Sequence, residues 1–301
     1  MLHNQGESPV KTQVVSLIEP HLGTPVVAAV RPLELSGTDE QGFAARGCRV
    51  ELADAADTVL FAADPSVVRS ADGDVEFAGR FGFYREKNGL PETICLVGGT
   101  RLAKGQFGIT LDSPEYRGKI VAVNRQTETI TVEPAPPDLA TLVGSTIFLT
   151  NSDRRIAYKV IAVQAAGAVA KLQLAGDSRI GTGRSTGAAD HRVRTGTPFT
   201  LQHFRYYHGA RVTNADHSAE YRIVEARSKQ AIILDAKLHP EAKAEKLVGE
   251  FPKDSWFEIY DYGVGDEVVW PYTVRISLDQ AGQYRISSPV PVKAELPIPS
   301  N

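Results

Sequence analysis

GRFGFYREKNGLPETICLVGGTRLAKGQFGITLDSPEYRGKIVAVN, residues 79–124, is a succession of short extended runs broken by turns. The spacing predicts strands at 81–85, 93–97, 107–111 and 119–124, with a shorter extended piece around Leu102. Apolar and polar residues alternate within them, the period of a half-buried sheet. Between them stand Asn88-Gly89, Gly98-Gly99 and Lys104-Gly105, whose glycines accept the positive φ that tight hairpins demand, and Pro114, which breaks the run. The stretch folds as antiparallel hairpins, and no catalytic grouping lies inside it.

The same punctuation extends in both directions. Toward the N-terminus, strands are expected at 14–18, 26–35, 48–53, 58–62, 67–70 and 75–78. Toward the C-terminus they are expected at 129–133, 146–149, 157–163, 169–174, 199–204, 210–213, 221–226, 231–235, 256–260, 267–270, 273–277, 284–287 and 290–295. Runs of four to eight residues with turn chemistry between them point to an all-β protein: antiparallel multi-strand sandwiches with small barrel-like or hairpin subunits and minimal helix. Only 138–143 and 240–247 have a helical pattern, each a turn or two long. An internal repeat links Thr150-Asn151-Ser152-Asp153 and Tyr158-Lys159-Val160 to Thr213-Asn214-Ala215-Asp216 and Tyr221-Arg222-Ile223, a constant offset of 63. It reads as one hairpin, with an Asx-stabilised turn, used twice. The expected divisions are a sandwich region at 10–133, a region with the hairpin repeat (150–163 and 213–226) at 138–250, and strands completing a sheet at 251–301. The proline-rich 134–138 (PAPPD) is a connector.

With 301 residues, 42% apolar and 23% charged, the chain can bury a large core, and its composition disfavours disorder and membrane spanning. A net charge of −3 gives no overall field for nucleic acid or an anionic membrane, so a polyanion site must come from a local cluster. Cys48 and Cys95, both in strand-like runs, are free buried thiols or a disulfide between neighbouring strands. Two cysteines without a ligand partner are too few for a structural zinc site. No cofactor is expected. The first residues lack a basic start followed by an apolar run, so there is no signal peptide in the sequence. We expect a piece of a longer protein, extracellular or periplasmic in its full context.

Candidate ligand-binding residues gather in three places. Residues 176–197 (GDSRIGTGRSTGAADHRVRTGT) read as a long glycine-rich loop carrying Arg179, Arg184, His191, Arg192 and Arg194. Guanidinium groups grip carboxylates and sulfates, so this cluster suits an acidic sugar; the competing reading is a solvated loop whose arginines meet nearby aspartates. The loop lacks the Gly-Lys-Ser/Thr ending of a phosphate-binding loop. Residues 202–209 (QHFRYYHG) collect His203, Arg205 and Tyr207 on one face of an expected strand, where ligand contact or proton abstraction beside a carboxylate competes with plain surface residues. Trp256 and Trp270 either offer a sugar-stacking platform or close a core. No serine-hydrolase elbow, His-Glu-x-x-His or Cys-x-x-Cys occurs, and no catalytic residue is assigned.

Residues 14–21 (VVSLIEPH) with Gly23-Thr24-Pro25, 79–81 (GRF), 96–102 (LVGGTRL), Tyr116-x-Gly118-Lys119-Ile120, 261–266 (DYGVGD) and 284–286 (YRI) carry a resemblance to the C-terminal β region of heparinase II/III-like polysaccharide lyases. The resemblance implies a β module supporting an N-terminal α/α toroid that performs β-elimination on uronic-acid glycans. This sequence has no helical array, and neither the family's catalytic positions nor its zinc-ligand histidines have a match. The expectation is therefore a non-catalytic β module whose partners are the helical toroid and an acidic polysaccharide, with no nucleic acid and no membrane. The alternatives are a stand-alone carbohydrate-binding or surface-interaction module, and a lyase with an unfamiliar site around Tyr207.

Overall fold

A computed structural model describes residues 16–19, 22–37, 44–196, 204–227 and 231–297. The protein is all-β and antiparallel, with two short helices among the described residues, Leu139–Leu142 and Ala244–Glu250. Asp138 caps the first, its Oδ1 accepting from the N–H groups of Ala140 (3.0 Å) and Thr141 (3.3 Å). The chain forms two compact units, residues 1–116 with 271–301 and residues 117–270. The boundaries therefore fall at 116/117 and 270/271 rather than at 133–138 and 250/251, because the C-terminal strands do not form a region of their own.

The first unit is a sandwich. One sheet has the order Val27–Leu33, Ala45–Leu52, Ala56–Ala62, Phe81–Lys87, Leu90–Val97, Thr273–Leu278, Tyr284–Ser287. The other has the order Lys293–Glu295, Phe107–Thr110, Arg101–Lys104, Val75–Ala78, Arg69–Ala71. Leu60, Ile94, Leu96 and Ile276 from the first meet Phe77, Leu102 and Ile109 from the second in one core, all fully buried. The stretch that opens the sequence reading supplies both sheets. Asn88 (φ 53°) and Gly89 (φ 75°) turn one hairpin, and the chain crosses to the second sheet at Gly98-Gly99. A Cβ at Gly99 would stand 2.3 Å from the Ala78 carbonyl oxygen, so only glycine fits that crossing.

The two cysteines lie in this unit in one cross-sheet row, Cys48 opposite Val59, Val59 opposite Phe83 and Phe83 opposite Cys95. Three strand spacings, about 14 Å, exceed the reach of a disulfide, roughly 7 Å between Cα atoms. Both thiols are free, and burial pushes both up in pKa, away from thiolate reactivity.

The second unit is a pair of closed six-stranded barrels. The first runs Glu115–Asn124, Thr129–Glu133, Val169–Leu174, Arg155–Ala166, Thr146–Thr150, Glu267–Pro271 around the ring. The second runs Arg179–Ala189, Arg192–Thr195, Ala231–Leu234, Glu220–Arg227, Arg211–Asn214, Trp256–Tyr260. Strand order and connectivity are the same in both, so the hairpin repeat read from the sequence is the visible part of a whole-barrel duplication. Irregularities in register recur at matching places: Ile120/Ala122 corresponds to Ser185/Gly187, and Val160/Ala162 to Ile223/Glu225.

Residues 256–295 therefore supply strands to all four sheets, closing the second barrel, then the first, then both layers of the sandwich. Three local expectations are corrected. Residues 16–18 carry no strand. Phe204–Tyr207 is a 3₁₀ turn, so the two faces expected for 202–209 do not exist over the described part. The expected loop at 176–197 is largely the hairpin Arg179–Ala189/Arg192–Thr195. Its buried positions are Gly183 and Ser185, the latter opposite Thr195, and small inward residues hide the alternation that marks a strand.

Candidate functional site

The strand Trp256–Tyr260 alternates as a barrel strand must. Phe257 and Ile259 are fully buried in the core of the second barrel, while Trp256, Glu258 and Tyr260 face outward. The neighbouring strand places Arg184 opposite Trp256, Thr182 opposite Glu258 and Arg179 opposite Tyr260. Three of the sequence candidates thus share one face. Arg184 stacks its guanidinium 4.9 Å from the centroid of the Trp256 ring, which is 50% exposed. On the next strand Val193 is buried, and Arg192 and Arg194 stand on the outer side, the latter exposed.

Glu258 organises the rest of the face. It accepts from Arg179 Nη1 (2.7 Å), His217 Nε2 (2.8 Å) and the Tyr260 hydroxyl (2.5 Å). Burial raises its pKa, but the hydrogen bonds from Tyr260, His217 and Arg179 outweigh it and hold the carboxyl at about 2. Burial and the same carboxylate push the Tyr260 hydroxyl up, so it is a committed proton donor and not a base. Arg125 of the first barrel lies 4.2 Å over the Tyr260 ring and closes this end of the face. His217 and Glu258 escaped the sequence reading because they lie 41 residues apart and no local pattern links them.

A stability test follows. Glu258→Gln is expected to lose about 1.5–3 kcal/mol at neutral pH, the range for hydrogen bonds to a charged group. The folded state lowers this pKa, so the stabilisation is present above the ordinary glutamate value near 4.3 and disappears as pH falls toward about 2. Urea melts of both proteins from pH 7 to pH 2 should show the gap closing across that window.

The remaining candidates separate from this face. His191 turns the hairpin at φ 50°, its N–H donating to the Ala242 carbonyl (2.8 Å). Arg205 is exposed on the 3₁₀ turn. Tyr207 is fully buried in the barrel core and does not stand on the surface as a ligand contact would. Trp270 is buried, 4% exposed, and belongs to core packing. His203 lies outside the described residues. No group of three or more metal-ligating side chains occurs among the described residues.

The indole offers an apolar plane to the C–H side of a pyranose ring, and the guanidiniums beside it offer forked donors to a carboxylate or sulfate. A scan against protein-family models finds no match, and searches of curated proteins and of solved structures find none either.

Proposed function

We propose that the chain is a non-catalytic β module of a carbohydrate-active protein, of the kind found beside the toroid of heparinase II/III-like polysaccharide lyases, and that its second barrel holds an acidic glycan. The observation that carries this reading is the half-exposed Trp256 indole capped by Arg184, with Arg192 and Arg194 on the outer side of the same barrel. On a chain of net charge −3 these arginines form a local basic patch where a polyanion is retained. The all-β architecture fits a supporting module, and a membrane role has no support from helices: none of the described ones is long and apolar enough to cross a bilayer.

Titration of a uronate-containing tetrasaccharide at low ionic strength tests the reading. Trp256→Ala and the triple variant Arg184→Ala/Arg192→Ala/Arg194→Ala should each weaken binding by roughly tenfold or more, with Tm nearly unchanged because these side chains are at the surface. Binding should also weaken steeply with added salt. Equal affinity in wild type and both variants would clear this face. The module alone should generate no unsaturated-sugar absorbance from uronate polymers; its appearance would make the chain an enzyme.

A further inference from the structure

The first barrel has a cleft of about 630 Å³ on its outer face, built by the two hairpins Glu115–Asn124/Thr129–Glu133 and Arg155–Ala166/Val169–Leu174. Register resolves its floor into two cross-strand rows: Asn124, Thr129, Gln173, Ala162 and Ala122, Thr131, Lys171, Gln164. Neighbours within a row stand about 4.8 Å apart and the rows about 7 Å apart. The register irregularities at Ile120/Ala122 and Val160/Ala162 bend the outer strands, and alanine at one end of each row leaves room there.

We propose that this cleft is a second glycan site, one that takes a polyhydroxylated chain with an anionic group at Lys171. The chemistry selects the ligand. Threonine hydroxyls and Asn/Gln amides both donate and accept, as sugar hydroxyls do, and Val123 and Val163 between them offer small apolar patches suited to the C–H side of a sugar ring. One lysine is too little charge for a nucleic acid. The strands are interior to a closed ring, so no free edge is available for an extended peptide to pair with.

The duplicated barrel supplies an internal comparison. Register equates Thr129 and Thr131 with Arg192 and Arg194, Gln173 with Ile233, Lys171 with Ala231, and Ala162 with Glu225. The same position on the same fold thus carries one lysine among hydroxyls and amides in one copy, and two arginines with a glutamate in the other. Asn124 Oδ1 and the Thr129 hydroxyl are engaged in the turn at 124–129, so Thr131, Gln164, Lys171 and Gln173 are the polar lining that faces the cleft. The first-barrel site stands on its cleft and does not depend on Trp256.

The test uses the full chain and three probes of equal length: a uronate-containing tetrasaccharide, its sulfated form, and the neutral N-acetylglucosamine tetramer. All are titrated by calorimetry into wild type, Thr131→Val/Gln173→Leu, Lys171→Met and Trp256→Ala. Thr131→Val/Gln173→Leu should weaken the neutral tetramer by roughly tenfold, the equivalent of one or two lost hydrogen bonds, and Trp256→Ala should leave it unchanged. Lys171→Met should reduce only the charged probes, and whichever of the two it reduces more identifies carboxylate or sulfate as the preferred group. A near-ultraviolet spectrum matching wild type establishes that each variant is folded. If one is not, Ala162→Gln, which fills the open end of a row, replaces it with the same expected loss. No heat with the neutral tetramer at about 10 mM, weaker than any affinity worth about 3 kcal/mol, overturns the proposal. So does loss with Trp256→Ala alone, an outcome that leaves the second-barrel site standing; retention in Trp256→Ala of every probe would instead remove that site and keep this one.

Discussion

Arg211→Ala is expected to cost the barrel pair about 3–5 kcal/mol at neutral pH, the range for breaking a buried ion pair by removing one partner. Arg211 sits on the second barrel with its side chain 7% exposed and is paired with Asp266, whose side chain is 2% exposed, in the segment leading into the last strand of the first barrel. Asp266 also accepts from the Gly263 N–H (3.0 Å), and Arg211 donates to the Val264 carbonyl (3.2 Å). Without the guanidinium the carboxylate stays buried with only the Gly263 N–H and the Asn151 side chain to donate to it. Burial raises the Asp266 pKa even with Arg211 in place, and loss of Arg211 must raise it further. For a carboxyl whose folded pKa is raised, the penalty grows as pH rises from the unfolded value through the folded one, and it vanishes below the unfolded value near 3.9. The deficit of Arg211→Ala should therefore shrink as the medium is acidified if the stranded charge causes it, and stay constant if lost packing does. Chemical denaturation at pH 7 and pH 4 separates the two: a deficit independent of pH would show that Arg211 acts through packing alone.

The second large effect belongs to the sandwich. Phe77 is fully buried, and its ring occupies space left by two glycines: a Cβ on Gly82 would lie 2.9 Å from the ring and one on Gly79 3.0 Å. Phe77→Ala should cost about 3–5 kcal/mol, combining lost transfer energy with a cavity that strands from two sheets cannot collapse to fill. Gly82→Ala should cost about 1–3 kcal/mol by overpacking the same spot. Because both changes act on one volume, the double variant should be less destabilised than the sum of the two. Strict additivity, measured by thermal or urea unfolding, would show that the glycine is required for its backbone and not for the ring above it.

What the sequence discloses and what it hides divide along physical lines. Hairpins with Asn-Gly or Lys-Gly corners are legible, since turn and strand chemistry sit within a few residues of each other; 81–87 and 90–97 pair as their spacing predicts. The duplication shows only in the hairpins around Asn151 and Asn214, where both turns need an Asx oxygen to accept backbone N–H groups. Elsewhere the copies have diverged, as Thr129 against Arg192 illustrates. The strand Arg179–Ala189 was hidden by its inward glycine and serine. Ser185 is fully buried yet satisfied, donating to the Phe251 carbonyl at 3.0 Å, an arrangement that no local pattern announces. The joint between the barrels is invisible for a different reason. Arg125 reaches Glu220 at 2.8 Å and the Tyr262 carbonyl at 2.6 Å, and Tyr158 reaches Asp261 at 2.8 Å, across about a hundred residues of chain. Of the face around Trp256, the arginines were legible as a charge cluster, and their placement beside the indole was not.

The return of the chain through all four sheets between residues 256 and 295 sets a schedule for assembly. During synthesis each barrel emerges with five of its six strands and a gap where the sixth belongs, and the larger sheet of the sandwich waits with Leu90–Val97 as a bare edge. An open ring exposes unpaired N–H and C=O groups on both sides of the gap, the kind of edge on which strands of other molecules add. The two barrels are near-copies of each other, so the most plausible wrong strand for each gap is the one made for its twin. The two closing strands differ in chemistry, Trp256-Phe257-Glu258-Ile259-Tyr260 against Glu267-Val268-Val269-Trp270-Pro271, and that difference is the means at hand for telling them apart.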